Sequence, residues 1–343
     1  MNSSKKILVL LMAVISVLIL IYAKKIIIPF ILAILFWFII RAIKKGILKL
    51  KFMKKIPIWL ITIFSTLLLL SILVLMVGMI SKNIQQLSEA MPEYEENINI
   101  LTEQLNDTFN IDLAETIKDY TEEINFGNIL SDLFSALTGL FGNAFMILLY
   151  LVFLLLEEPT FRRKLRRMYP SDDRYKQIEG LVSKIDMSIR SYITLKSLVS
   201  ILTGFLSYFA LLFIGVDAPL FWAFLIFILN FIPTIGSLIA TIFPAVFSML
   251  QFGELSPAIL VLSIVGAIQL LVGNLIEPKL MGTSLNISPL VVFLTLALWG
   301  LIWGITGMLL SVPITVILII ILSEFKDTKP IAILLSQKGN VGQ

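Results

Sequence analysis

The sequence predicts an all-α protein that enters a membrane about eight times, and three observations predict it. Of its 343 residues, 58% are hydrophobic and only 15% charged, and the mean hydropathy is +0.97. Several apolar runs approach or exceed the roughly 20 residues that carry a helix across a ~30 Å hydrocarbon core. The runs are continuous rather than alternating, which excludes a membrane β-barrel.

Composition also bounds the chemistry. There is no cysteine and no histidine. Disulfides, thiolate or imidazole metal sites, Ser–His dyads and histidine proton relays are therefore excluded. No GxxxxGK[ST] loop is present, which argues against ATP-driven transport by this chain alone, and no HExxH exists. No pair of aspartates lies within the spans, so an aspartyl intramembrane protease is not expected either. The reading is of a non-enzyme with no metal and no cofactor. The net charge of +4 comes from basic residues beside apolar runs, where they set topology, and is no nucleic-acid signal.

The first span covers 7–22. It resembles a signal peptide, but Ile21 stands where a cleavage site needs a small residue, so it reads as uncleaved. A second span covers 26–43. Seven cations follow it between Arg41 and Lys55 with no acid, which marks the cytoplasmic face. A third span at 57–80 leads out and completes an N-terminal unit over 1–81.

Residues 82–135 hold twelve acids against Lys82 and Lys118, and are expected outside. Ile84, Leu87, Met91, Tyr94, Ile98, Leu101 and Leu105 follow heptad spacing. The seam serves an interchain contact, packing on its own subunit, or a helix lying on the membrane. A fourth span at 136–156 leads to a basic cytoplasmic linker, 157–196. Its cluster of Arg162, Arg163, Lys164, Arg166 and Arg167 lies where anionic headgroups would be. The linker's apolar spacing from Ile178 to Tyr192 predicts an amphipathic helix feeding a fifth span at 197–214. Residues 197–323 form a C-terminal transport unit, and 324–343 a cytoplasmic tail. Both termini are expected inside.

The C-terminal unit contains an internal repeat. Residues 219–250 and 289–322 each open on Pro-Leu, break in the middle, and carry a proline in the second half. Pro219 and Pro289 are 70 residues apart, Gly236 and Gly307 are 71 apart, and Pro244 and Pro313 are 69 apart. The breaks hold Pro233 and Gly236 in one copy, and Gly300, Gly304 and Gly307 in the other. A straight helix over 219–250 would be about 48 Å long, too long for a ~30 Å core. Each copy is either a long kinked span or a re-entrant hairpin. As hairpins around a crossing span at 257–276, they would form an inverted repeat with irregular backbone at the midplane, a transporter signature. Gly300 and Gly304 equally suit a small-xxx-small packing face.

Polar residues at membrane depth are costly and are candidates for a pathway. Asn230, Thr234 and Ser237 flank the first break, and Gln269, Asn274 and Glu277 lie on or just after the crossing span. Glu277 is the best cation or proton site, with the alternative of a helix-end carboxylate paired with Lys279 or Arg190. Pro278 is expected to end that helix, since it cannot continue the hydrogen-bond ladder.

The stretches Asn230-Phe-Ile-Pro233-Thr234-Ile-Gly236, Glu277-Pro278-Lys279-x-x-Gly282 and Ser288-Pro289-Leu290, with the glycine-rich run to Pro313, resemble the autoinducer-2 exporter family of bacterial membrane proteins. The likeness covers nearly the whole chain. Relatives often carry a glycine soon after the tyrosine where this chain reads Tyr192-Ile-Thr194-Leu-Lys196. The resemblance implies secondary transport across the bacterial cytoplasmic membrane. The solute would be an autoinducer-2-like small polar molecule leaving the cell, or Na⁺ or Li⁺ exchanged for H⁺. It also implies a ring-like homo-oligomer, a pentamer. A passive pore and a non-transporting scaffold are the competing readings.

Overall fold

The computed structural model describes residues 3–50, 55–90, 92–94, 96–97, 100, 144–281 and 286–339. Apart from one isolated backbone bridge, these residues form helices joined by short turns. They include seven helices long and apolar enough to cross a membrane, so the chain is a polytopic helical membrane protein. The elements are α1 (Ser3–Tyr22), α2 (Lys24–Leu48), α3 (Ile58–Glu89), α4 (Ala144–Met168), α5 (Asp172–Ile214), α6 (Pro219–Leu229), α7 (Ile235–Phe252), α8 (Leu255–Leu271), α9 (Glu277–Met281), α10 (Pro289–Glu324) and α11 (Lys329–Leu335). The amphipathic linker and the fifth span are one continuous helix of 43 residues.

The chain divides into two compact units. One comprises Met1–Thr62, Gly139–Thr194 and Thr283–Gln343, and the other Ile63–Thr138 and Leu195–Gly282. In the first unit α2 packs along α4, with Phe30 and Tyr150 edge to face at 5.5 Å. At the end of these helices, Trp37 Nε1 donates to Glu158 at 3.1 Å, and Arg41 ion-pairs with both Glu158 and Asp186. Trp299, Ile302 and Trp303 form an apolar core against Leu20, Ile27, Ile28 and Ile31, and Trp303 Nε1 donates to the Leu20 carbonyl. Residues 335–338 pair with 286–288, through Ser288 N–H to the Leu335 carbonyl and Gln337 N–H to the Asn286 carbonyl. The segment after α10 thus folds back onto its start.

Both copies of the sequence repeat reverse direction. In a continuous helix, residues seven and eight apart lie about 10 and 12 Å along the axis. Here a Cβ on Gly236 would sit 1.8 Å from the Leu229 carbonyl oxygen, and one on Gly307 would sit 1.9 Å from that of Trp299. Only a glycine allows such an approach. Pro219 and Pro289 both occupy the first turn of a helix, where the missing N–H costs nothing.

In the second unit the reversal is closed at its base. The Asp217 N–H donates to Gln251 Oε1 at 2.7 Å, and Gln251 Nε2 donates to the Gly215 carbonyl at 2.9 Å. The rings of Trp222 and Phe247 meet between the arms at 5.0 Å. The element therefore leaves at the level where it entered, as a hairpin of α6 and α7. The first arm, 11 residues or about 16 Å, reaches halfway across a membrane core.

In the first unit, α10 breaks at Gly304, with φ 63° and ψ −144°, a conformation reserved for glycine. This corrects one alternative: Gly304 is the break itself, not half of a helix-packing face. Gly300 instead lies under the Met308 side chain of the returning arm.

A second correction concerns Pro278. The helix does not end there. A π-helical turn at Val272–Ile276, closed by the Glu277 N–H on the Val272 carbonyl, precedes it, and α9 continues to Met281. The wider turn moves the preceding carbonyls out of the way of the proline ring, which would otherwise clash one turn back.

Candidate functional site

The site lies in the second unit and is built on α5. Lys196, Ser200, Thr203 and Ser207 recur at spacings of four, three and four, which puts them on one helix face, and all are buried. Gly204 lets α6 approach this helix, since a Cβ there would lie 2.9 Å from the Ala223 carbonyl oxygen. The α6 terminus carries Asn230, buried, whose Nδ2 donates to Ser200 Oγ at 3.1 Å. One turn along α5, about 6 Å away, Lys196 Nζ donates to Glu277 Oε1 in an ion pair. The Lys196 side chain is 6% exposed and that of Glu277 21%. A half-buried pair of this kind holds its geometry because either charge alone would be costly.

The hairpin tip is strained. The Ile235 N–H bonds to the Pro233 carbonyl at 2.6 Å across Thr234, whose φ and ψ are 61° and −58°. This is the positive-φ γ-turn, rare in any residue and costlier still in a β-branched one. The Thr234 carbonyl accepts a bond from Ser237 Oγ at 2.9 Å. Gly266 of α8 faces Thr241 of α7, 3.8 Å from where its Cβ would be, which sets the register of these antiparallel neighbours. Gln269, one turn further along α8, is buried, and its Nε2 has no partner among the described residues; nor has the buried Ser207 Oγ.

Asn230 and Glu277 thus converge on one face of α5. Ser237 and Thr234 lie at the tip, Asn274 is exposed on the π-helical turn, and Gly282 lies outside the described residues. Pro289, Gly300, Gly304, Gly307 and Pro313 belong to the first unit, where Ser311 and Thr315 are buried and bond back to their own helix. Glu277 pairs with neither Lys279 nor Arg190; Arg190 is bonded to Asp186. Sequence reasoning missed Lys196, Ser200, Thr203 and Ser207. Their regular spacing inside an apolar span was the available signal.

At the other end of α5, about 27 Å from Lys196, residues from beyond α3 hold the hairpin base. Tyr94 Oη donates to Asp217 at 2.8 Å, and Asn97 Nδ2 donates to the carbonyls of Leu250 and Gln251. Burial raises the Tyr94 phenol well above its ordinary value, and the Asp217 hydrogen bond and charge add to the shift. Leu87 and Tyr94 of the heptad seam are buried by their own chain. Met91, Ile98, Leu101 and Leu105 lie outside the described residues.

Known proteins resemble this chain over nearly its whole length. The AI-2E family transporter model matches residues 7–327. The AI-2 transport protein TqsA of Escherichia coli is 32% identical over 92% of this chain and 90% of its own. A putative transport protein of Haemophilus influenzae is 32% identical over 91% of this chain and 90% of its own. The sodium-lithium/proton antiporter of Halobacillus andaensis is 23% identical over 68% of this chain and 67% of its own. A hairpin-broken helical membrane fold, with a family match over nearly every span, makes this chain a member of the AI-2E family of membrane transporters.

Proposed function

We propose that this protein is a secondary transporter which moves a small polar solute, of the autoinducer-2 kind, out of the cell along the buried polar face of α5. The observation that carries the reading is that face itself. Four buried polar residues, one of them charged, line one face of an apolar span, beside a hairpin whose first arm is half a membrane core in length. Asn230 and Ser200 offer hydrogen bonds at the hairpin end, and Gln269 and Ser207 offer unspent ones. Thr234, Ser237 and Asn274 would meet the solute at the tip and on the π-helical turn. The glycines and prolines of both hairpins would act as hinges.

The similarity to the E. coli AI-2 transport protein, over nine-tenths of both chains, favours an organic solute. Alkali-cation exchange for protons is the second reading. It is favoured by Glu277 and by the weaker similarity to the sodium-lithium/proton antiporter. The organic reading ranks first because the Glu277 carboxylate is already occupied by Lys196. The chain would sit in the bacterial cytoplasmic membrane with both termini inside, assembled as a homo-oligomer, a pentamer by family resemblance.

The test is flux in proteoliposomes for Ser200→Val and Asn230→Leu. Loss of saturable autoinducer-2 efflux with assembly intact supports the path, and unaltered efflux removes it. Linear, unsaturable flux in the unaltered protein would favour a pore, and Na⁺-driven proton movement the second reading.

A further inference from the structure

The end of α4 in the first unit carries five exposed cations, and the structure separates them into two sets. Lys164 is bonded to Glu157, and Arg166 to Asp172 while also lying over the Tyr175 ring at 4.7 Å. Glu158 is taken by Trp37, Arg41 and Lys44. Glu157, Glu158 and Asp172 are therefore taken. Arg162, Arg163 and Arg167 have no carboxylate within ion-pair distance among the described residues. Arg163 and Arg167 are one helical turn apart, so the two like charges face each other across the surface and repel. An anion set between them would reverse the sign of that interaction.

The position selects the anion. Leu156, 68% exposed, ends the apolar part of α4, and Arg163 follows it about 10 Å further along the same helix. An arginine side chain can reach back from there to the headgroup layer. Phe161 and Met168, both exposed, flank the arginines with apolar surface suited to the same layer. The hold of Trp37 and Arg41 on Glu158 fixes the helix end that presents them. We propose that Arg163 and Arg167 form a docking site for the phosphate of an anionic phospholipid in the leaflet at that end of α4. The site is independent of the transport path on α5.

The test uses the purified full chain in a nonionic detergent, titrated with short-chain phosphatidylglycerol while the unfolding midpoint is followed. Phosphatidylglycerol should raise the midpoint, and phosphatidylcholine of equal chain length should not. R163Q/R167Q should shift half-saturation about thirtyfold, from roughly 1 kcal/mol per charge. R163K/R167K should restore most of the response. Three results would overturn the site: an unshifted titration in R163Q/R167Q, an equal loss in K164Q (diffuse charge rather than a site), or the same stabilisation by inorganic phosphate, which would mean a soluble anion.

Discussion

The α-carbon of Gly236 faces the carbonyl of Leu229 so closely that a methyl group between them would lie 1.8 Å from the oxygen. Gly307 stands in the same relation to Trp299 in the other repeat. Two glycines 71 residues apart thus do the same work, letting a half-length arm turn back on itself. Gly236→Ala and Gly307→Ala should each cost about 3 kcal/mol, since the obstacle is backbone and cannot rotate away. Gly300→Ala meets only the flexible Met308 side chain and should cost about 1 kcal/mol. Unfolding midpoints of the purified variants check the order. Equal losses at all three positions would count against the hairpin geometry.

Thr234 is held in a γ-turn with positive φ at the hairpin tip. Thr234→Gly should raise stability by about 1 kcal/mol, because glycine adopts this conformation without side-chain strain. Thr234→Pro, whose ring demands negative φ, should lower it by more than that. The measurement is again the midpoint. A glycine variant less stable than the parent would show that the turn is not strained.

The hairpin requires that Ser256 and Lys279 lie on opposite sides of the membrane, with Ser256 on the side of Asp217. The chain has no native cysteine, so a single cysteine at either exposed position can be labelled without background. An impermeant maleimide should reach position 256 from outside and position 279 only from inside. Labelling of both from one side would sink the assignment.

Lys196 and Glu277 should behave as a unit. Glu277→Gln leaves a buried ammonium without its partner and should cost about 3 kcal/mol. Lys196→Gln with Glu277→Gln should cost less than either change alone, since no unpaired charge remains. A double-mutant cycle on stability reads the coupling, and additive losses would mean that the pair contributes nothing.

Tyr94 carries a pH dependence of calculable sign. Its phenol is raised above the unfolded value of about 10. Its contribution is therefore fully present below that pH and is lost as pH rises through the higher folded value. Ultraviolet titration should show a late-ionising tyrosine step, and Tyr94→Phe should remove that step at a cost of about 1 kcal/mol. A titration unchanged by the substitution would dissociate Tyr94 from Asp217.

The membrane helices are legible in residue type alone, because continuous apolar runs have no other stable fate in a chain this hydrophobic. So are the places where two of them break, because Pro233, Gly236 and Gly304 are types that interrupt a helix. That the breaks are reversals rather than kinks depends on contacts between distant segments. A glycine permits both, and in the first copy the choice rests on Gln251 closing onto Gly215 and Asp217 across 36 and 34 residues. The partner of Glu277 was hidden for the same reason. Lys279 is only two residues from Glu277, but Lys196, 81 residues away, shares its level on the α5 face. Pro278 looked like a helix end because a regular ladder cannot pass it, and a single π-helical turn lets the helix continue. Local rules read from residue types name the elements. Which polar groups meet depends on how far each arm runs before it turns, and that is set by packing between segments distant in the chain.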